Sequence, residues 1–263
     1  MPLTSKIANA LKSATTIVNV SAAAAPTNGQ VLTATGGTTA TWQTAGGGFD
    51  PSTTVELMED FMTGENNTTA TIGLLQWRIN GTGATTAVIQ TGSSTLPLGV
   101  IRVLTPAAAS GGGIRAQEAS TVYPSTGNVT VAMRAKNVAA ANANLITYIG
   151  IHTQPASDQP PSDGIYFSFS GTGNWLAVTR QADTETSTDT GVAQSTSFKT
   201  FEILTNSDAT SITFYIDGAL EATHSTNIPT AAVYFGINVV TADSTARGLD
   251  CDYFYYKITG LSR

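Results

Sequence analysis

The chain has 263 residues, of which 41% are hydrophobic and 11% are charged, and its formal net charge is −6. Ordinary soluble domains carry about 25% charged residues, whereas here threonine alone makes up about one residue in six. This composition excludes a disordered chain, which would be poor in apolar residues, and it argues against nucleic-acid binding, which needs clustered Lys and Arg.

Further limits come from the cysteine count and from hydropathy. A lone cysteine, Cys251, excludes an intramolecular disulfide, and no apolar stretch approaches the roughly 20 residues that span a bilayer. The first twenty residues have no compact apolar segment of the kind found in secretory signals. Because threonine is β-branched and the chain is rich in Gly and Pro, composition predicts an all-β protein. We expect no cofactor and no membrane insertion.

Residues 1–16 predict a short helix. Thr4 or Ser5 can cap it, and Ile7 and Leu11 then fall on one apolar face. A helix of about ten residues is not stable alone in water, so this segment needs its own copies or a docking surface as partner. The alternative is a frayed terminus.

Residues 17–48 predict an extended run followed by a hairpin. The hairpin strands are 31–35 and 38–42, and Gly36-Gly37 suits a tight two-residue turn between them. An isolated hairpin is marginal in water, so this segment also needs partners. The glycines at 46–48 indicate a flexible joint. We therefore divide the chain into an assembly segment, 1–48, and a main domain, 49–263.

The main domain consists of many short β-runs separated by Gly, Asn, Asp, Ser and Pro clusters. Asp217-Gly218 is a strong hairpin turn between two of these runs. Because no helices separate the runs, the pattern predicts a two-sheet sandwich rather than a parallel α/β fold. The clearest candidate strands are 74–79, 87–90, 99–104, 128–134, 145–152, 164–170, 175–180, 198–205, 211–216, 221–224, 234–240 and 250–258.

Residues 163–256 resemble concanavalin-like (laminin-G-like) jelly-roll domains. The resemblance rests on the order of the FYIDG segment at 214–218, the NIP segment at 227–229 and a final strand at 249–254. Cys251 stands where the family usually has Val, a modest change because free cysteine packs like a small hydrophobe. The resemblance implies a two-sheet jelly roll.

A second resemblance involves residues 26–44, PTNGQVLTATGGTTATWQT, which are similar to a segment of tail-fibre and other appendage proteins of tailed bacteriophages. It implies a homotrimer on the virion surface, made in the bacterial cytoplasm and held to other virion proteins through residues 1–48. The main domain would then attach to host-surface glycans. The candidate assembly and anchoring residues are Ile7, Leu11, Val31, Leu32 and Trp42.

The concanavalin-like superfamily includes glucanases, so an enzyme must be considered. Laminarinase-type members carry three acidic residues at alternate positions of one strand, which places the carboxylates on one face near the sugar. The nearest match is 56–60, where Met58 replaces the central acid and Glu56 and Glu59 have opposite parity. We interpret this segment as a solvated edge and expect no catalytic residues.

Metal binding is a weaker hypothesis. Asp250 and Asp252 share a strand, and Asp217 and Asp243 could approach them to hold calcium, but no known loop spacing is matched. The spacing of the cysteine and the histidines excludes zinc. His224 is expected at the surface, and Gly-rich 111–113 is expected to be a flexible connection. We predict no metal.

Sugar binding is the better prospect, because sugar sites use aromatic rings with a few polar groups. Trp175, Tyr166 and Tyr123 lie beside turn-rich stretches, and the polar, proline-stiffened loop 154–164 suits ligand binding. The alternative for Trp175 is core packing. The leading hypothesis is a non-enzymatic phage virion protein that projects a lectin-like sandwich. The alternatives are a head-fibre or capsid-decoration protein without a receptor, and a carbohydrate-active enzyme of the same fold.

Overall fold

The computed structural model describes residues 10–12, 17–20, 30–34, 39–44, 52–62, 65–66, 71–81, 86–90, 98–105, 110–116, 122–139, 144–155, 159–241 and 245–261. The chain divides into two compact units, Met1–Pro51 and Ser52–Arg263. Within the described ranges, no helix has the length and hydropathy needed to cross a membrane.

The first unit contains a small mixed sheet with the strand order β1-β2-β4-β3. Its strands are β1 (Ala10–Lys12), β2 (Ile17–Val20), β3 (Gln30–Ala34) and β4 (Thr39–Thr44). The predicted helix is therefore wrong over Ala10–Lys12, which pair with β2 in antiparallel register. A helix this short is marginal, whereas strand pairing satisfies the backbone groups of the same residues.

The predicted hairpin is present, with Leu32 opposite Trp42 in an antiparallel β3–β4 pair. Ala34 pairs with Ala40, so the connection is longer than the predicted two residues. Trp42 is half-buried. The side chains of the other assembly candidates, Ile7, Leu11, Val31 and Leu32, lie outside the described part of the structure. Their role in assembly stays a prediction.

The second unit is a jelly-roll sandwich of two antiparallel sheets, as predicted. Sheet I has the order β19-β18-β17-β12-β21-β10-β9, and β5 also pairs with β21. Its strands are β5 (Thr54–Glu59), β9 (Thr86–Gln90), β10 (Val100–Leu104), β12 (Asn128–Asn137), β17 (Lys199–Thr205), β18 (Ile212–Ile216), β19 (Ala219–His224) and β21 (Gly248–Thr259).

Sheet II faces sheet I and has the order β16-β15-β14-β13-β20-β11-β8-β7-β6. Its strands are β6 (Glu65–Asn66), β7 (Thr71–Gly73), β8 (Trp77–Gly81), β11 (Ser110–Arg115), β13 (Leu145–His152), β14 (Gly164–Ser170), β15 (Asn174–Gln181), β16 (Thr184–Ala193) and β20 (Tyr234–Thr241).

Alternating side chains explain why these segments pair as a sandwich. In β12, Val131 and Met133 enter the core while Thr130 and Arg134 face outward. The core between the sheets is rich in aromatic rings, and Phe167 contacts rings from sheet I at centroid distances of 5.2 and 5.4 Å. Burying such rings is the main stabilisation of the fold.

Five strands of the sandwich, β5, β6, β7, β11 and β16, were missed in the sequence, and two of them show why. The segment expected to be a flexible connection, 111–113, lies inside β11, where a Cβ on Gly113 would approach the Ile237 carbonyl oxygen to 1.9 Å. Glycine is needed there because the neighbouring backbone is so close. Strand β16 carries polar side chains on both faces, so apolar alternation could not reveal it.

Candidate functional site

The face of sheet II that points away from the core carries an unusual set of buried side chains. On β13, β14 and β20, residues that alternate with core residues are nevertheless buried: Tyr148 is 5% exposed, His152 2%, Tyr166 1% and Asn238 3%. Tyr148, Tyr166, Val178 and Val240 form an apolar cluster separate from the main core. We call this surface the outer face of sheet II.

Glycines provide the space in which the rings of the outer face pack. Tyr166 contacts Tyr148 and His152 edge-to-face, with ring centroids 5.6 and 5.9 Å apart. A Cβ on Gly164 would lie 2.6 Å from the His152 Cβ atom, and one on Gly150 would lie 3.0 Å from the Tyr166 Cβ atom. The rings therefore pack closely over strands that cannot carry side chains at these positions.

His152 presents an unused acceptor atom on this face. Its Nδ1 lies 2.8 Å from the Thr153 carbonyl oxygen, which can only accept, so Nδ1 carries the proton. Burial lowers the pKa of His152 to about 4, although nearby backbone carbonyls of Thr153, Gly236 and Tyr148 oppose that shift. The buried Nε2 has no hydrogen-bond partner. A neutral ring with a free acceptor lone pair results near pH 7.

Tyr166 adds an unused hydroxyl beside this acceptor. Its oxygen is buried and lies near the Arg180 guanidinium, but without the geometry of a hydrogen bond. Burial raises the pKa of Tyr166, so the hydroxyl keeps its proton. Arg180 is held instead by Glu185 Oε2 at 3.0 Å and Asp183 Oδ1 at 3.3 Å. The outer face thus combines buried aromatic rings with a buried neutral donor and a buried neutral acceptor.

A model of one protein family matches residues 97–252, more than half of the chain, and its description is SO2946-like, C-terminal domain. The chain belongs to this family. A comparison with curated proteins gives no match.

Solved structures with the same fold include the protein of unknown function SO2946 from Shewanella oneidensis MR-1. It is 14% identical, with a TM-score of 0.58 over 81% of this chain and 89% of that one. An endo-1,3-β-glucanase from Streptomyces sioyaensis is 15% identical, with a TM-score of 0.54 over 80% and 98%. The carbohydrate recognition domain of Emp47p is 10% identical, with a TM-score of 0.52 over 81% and 100%. At these identities the likeness concerns the fold.

The predicted sugar-binding aromatics lie apart in the SO2946-like sandwich. Trp175 is 2% exposed and packs in the core, 4.5 Å from the Phe201 ring and 4.7 Å from the Phe169 ring. Its ring therefore has no open face on which a sugar could stack. Tyr166 lies on the neighbouring strand but on the opposite face, where it is also buried at 1% exposure. Tyr123 is 53% exposed between β11 and β12. The structure does not bring these three residues together.

Sequence reasoning missed His152 and Tyr148 as parts of the same surface. Both belong to β13, two positions either side of Gly150, and Gly150 pairs with Tyr166 on β14. Because side chains alternate between the two faces of a strand, the sequence alone could have placed Tyr148 and His152 on one face of β13. Their burial could not be read from parity, because polar residues on an outward face are ordinarily solvated.

The acidic segment at 56–60 is only partly a solvated edge. Glu56 is at the surface, where Tyr255 donates to its Oε1 at 3.0 Å and Lys257 lies 3.3 Å from its Oε2. Glu59 corrects the prediction, because it is 2% exposed and accepts backbone N–H groups of Phe61 and Leu75 at 3.0 and 2.8 Å. Its carboxylate fixes the chain after β5 rather than meeting solvent.

The acidic residues considered for calcium have protein partners instead. Asp250 pairs with Arg102 at 2.7 Å, Asp252 with Arg134, and Asp217 with Lys199 at 2.9 Å. Asp243 lies outside the described residues. Among the residues that the structure describes, no group of three or more His, Cys, Asp or Glu could hold a metal ion.

His224 is not at the surface, contrary to expectation, since it is 4% exposed. It joins the two sheets, with Nδ1 3.0 Å from the Thr179 Oγ1 atom and Nε2 2.9 Å from the Thr188 Oγ1 atom. Thr179 donates its own hydroxyl proton to the Thr226 carbonyl at 2.9 Å, so it accepts from Nδ1. His224 is therefore fully partnered, in contrast to His152.

Proposed function

We propose that this SO2946-like sandwich binds glycans on the outer face of sheet II and does not hydrolyse them. The observation that supports this most is that the unpartnered His152 Nε2 and the unpartnered Tyr166 hydroxyl lie together among aromatic rings on this face. Both atoms are buried, so a glycan that binds them displaces the groups that cover them. A sugar offers hydroxyls that both donate and accept, together with apolar C–H faces that pack on rings. Emp47p provides a carbohydrate recognition domain of the same fold.

The proposal extends to a structural protein of a tailed phage virion, with residues 1–48 as the anchoring and trimerising segment. It is supported by the resemblance of residues 26–44 to phage appendage proteins and by the division of the chain into a small first unit and a separate sandwich. A glycan-binding sandwich favours host attachment over capsid decoration, because a decoration protein needs no receptor.

The binding proposal is tested on a glycan array with the full chain. Ser168 follows Tyr166 by two residues on β14, so its side chain lies on the same outward face. The long, charged side chain of Ser168→Arg would therefore cover part of the outer face. We expect binding to fall at least tenfold. The matched control is Thr223→Arg on the outward side of β19 in sheet I, which should bind like the wild type. Equal losses in both variants, or no glycan bound by the wild type, would refute the proposal.

The enzyme alternative has its own test. Glycosidases use two carboxyl groups across the scissile bond, and the outward positions of β13, β14, β15 and β20 carry no Asp or Glu among the described residues. We expect no new reducing ends when the wild-type protein is incubated with host-surface polysaccharide. Steady release of oligosaccharides would favour the enzyme.

The assembly proposal is tested by light scattering on the full chain and on a truncated chain that begins at Phe49. We expect a trimer for the first and a monomer for the second, because the truncated chain lacks residues 1–48, which are proposed to join the copies. A monomeric full chain would contradict the assembly role of residues 1–48.

A further inference from the structure

Two arginines lie side by side on the outer face of sheet II. Arg78 on β8 and Arg115 on β11 are directly opposite each other in antiparallel register. The residues next to them in sequence, Trp77 and Ile114, belong to the core, so both arginine side chains point outward. Arg78 is exposed and Arg115 is half-buried, so the pair is accessible from solvent.

The pairing of these two cations is not a consequence of a basic composition. The chain has 12 Lys and Arg against 18 Asp and Glu, and like charges directly opposite each other on adjacent strands are destabilising. Strands β8, β11 and β20, which are neighbours in the sheet, contain no Asp or Glu over their described lengths. An anion supplied by a ligand would reduce the repulsion between the two guanidinium groups.

An aromatic ring helps to fix one member of the pair. The guanidinium carbon of Arg115 lies 4.7 Å from the centre of the Tyr234 ring, a distance at which a cation is attracted to the ring face. A guanidinium carries five N–H groups, so Arg78 and Arg115 can keep their contacts within the protein and still donate to a ligand. Its planar fork suits a carboxylate, which accepts two parallel hydrogen bonds from it.

The arginine pair is continuous with the surface proposed to bind glycans. Arg115 pairs with Gly236 on β20. Gly236 pairs with Gly150 on β13, which in turn pairs with Tyr166 on β14. Adjacent strands lie about 4.8 Å apart, so this row separates Arg115 from Tyr166 by about 14 Å. A Cβ on Gly236 would lie 3.4 Å from the His152 Cε1 atom, so a glycan bound at His152 is within reach of the arginines.

We propose that the outer face of sheet II selects acidic sugars, with the carboxylate of a uronic acid unit bound between Arg78 and Arg115. This inference rests on the proposed glycan-binding function and names the class of glycan that the same face takes. The net charge of the chain is −6, so attraction of an anionic glycan depends on this local pair rather than on the overall charge.

The test is isothermal titration calorimetry of the full chain with oligomers of galacturonic acid. Their methyl esters are the matched ligands, because esterification removes the charge and keeps the sugar chain. We expect the wild type to bind the acid oligomers roughly tenfold more tightly than the esters, since hydrogen bonds between ionised groups are the stronger kind. Equal affinities, tighter binding of the esters, or no binding of the acid oligomers at millimolar concentration overturns the proposal.

Two variants of the exposed arginine examine its role in the preference. We expect Arg78→Gln to bind the acid oligomers no more tightly than the esters. Arg78→Lys keeps the charge without the planar fork, so it should keep only part of the preference. Arg78 is exposed, so both variants should fold with melting temperatures near that of the wild type. A wild-type preference in Arg78→Gln overturns the proposal.

The matched control is Arg134→Gln, which removes the same charge from the outward side of β12 in sheet I. General attraction between the protein and a polyanion would weaken equally in Arg134→Gln and Arg78→Gln. We expect Arg134→Gln to keep the wild-type preference for the acid oligomers. Equal losses in the two variants overturn the proposal.

Failure of this inference and failure of the outer-face site are distinguishable. Ser168→Arg is titrated with the esters, because its added cation would attract an acid. If the esters bind as tightly as the acid oligomers and Ser168→Arg weakens them, the acidic-sugar inference is wrong and the proposed function stands. If the acid oligomers bind through Arg78 and Ser168→Arg leaves ester binding unchanged, the arginine pair stands and the site around Tyr166 is wrong.

Discussion

The two sheets differ in the groups that are fully buried on the faces that they turn away from the core. On sheet I, Asp250 is fully buried between Arg102 and Lys136, with oxygen–nitrogen distances of 2.7 and 3.9 Å. Beside it, a β-bulge between β12 and β21 brings Asp252 to Arg134. On sheet II, the corresponding buried groups are the uncharged rings of His152 and Tyr166.

The two faces differ in whether their buried polar groups have partners within the protein. On sheet I, the carboxylates of Asp250 and Asp252 have cationic partners within the protein. On sheet II, the His152 Nε2 atom and the Tyr166 hydroxyl have no partner. Unpaired buried polar groups are costly and therefore tend to mark functional surfaces. The contrast predicts that sheet I stabilises the fold and that sheet II binds.

The largest expected effect is the loss of the buried charge on sheet I. Asp250→Asn leaves Arg102 and Lys136 facing each other across β21 without a counter-charge. Removing one partner of a buried ion pair costs about 3–5 kcal/mol. We expect the free energy of unfolding, measured with urea, to fall by about 4 kcal/mol while glycan binding by the folded fraction is retained.

The control for this variant is Asp183→Asn, at a side chain that is 73% exposed beside Arg180. Exposed pairs contribute about 0–1 kcal/mol, so its unfolding midpoint should stay near that of the wild type. Similar losses of unfolding free energy in Asp183→Asn and Asp250→Asn would contradict the prediction that the buried ion pair on sheet I contributes more stability than an exposed one.

The second effect is a pH dependence from sheet II. The pKa of His152 is about 4 in the folded chain, against about 6.5 unfolded. As pH falls from about 6.5 to about 4, the unfolded chain takes up a proton that the folded chain does not. Stability is therefore full above this window, decreases through it and is constant below it, with a total loss of about 3 kcal/mol.

The contribution of His152 is isolated by subtracting the unfolding free energies of His152→Gln from those of the wild type at each pH. Carboxylates and His224, whose pKa burial also lowers, remain in both proteins and cancel. We expect the difference to shrink only between about pH 6.5 and 4. A difference that does not change with pH would contradict the neutral, buried state of His152.

A smaller effect on stability tests how closely the rings of the outer face pack against its glycines. A Cβ on Gly164 would lie 2.6 Å from the His152 Cβ atom and 2.8 Å from the Tyr166 Cδ1 atom, so Gly164→Ala must displace a ring. Overpacking of this kind costs about 1–3 kcal/mol. Gly173→Ala is the control, because its Cβ would meet only the Ser170 carbonyl oxygen at 3.4 Å. Equal melting temperatures for the two variants would refute the close packing.

The sandwich could be predicted from the sequence because it depends on the alternation of apolar and polar residues along the strands and on turn residues between them. The hairpin around Asp217-Gly218 and the final strand are where the patterns predicted them. The site was harder to predict, because it depends on which outward residues are covered. Trp175 and Tyr166 are both aromatic and both buried, yet only Tyr166 faces away from the core, and no local pattern distinguishes a covered outer face from a core.

The smallest effect on stability is also the most direct test of the contrast between the sheets. Tyr166→Phe removes a buried hydroxyl that has no partner, so we expect stability to stay within about 1 kcal/mol of the wild type or to rise. Tyr255→Phe, on the outward side of sheet I, removes a hydroxyl that donates to Glu56 and should cost about 0.5–1.5 kcal/mol. The affinity for glycans should decrease in Tyr166→Phe and stay unchanged in Tyr255→Phe. If Tyr166→Phe loses stability and keeps its affinity for glycans, the hydroxyl stabilises the fold. The buried polar groups on the outer face of sheet II then have partners within the protein, as those of sheet I do.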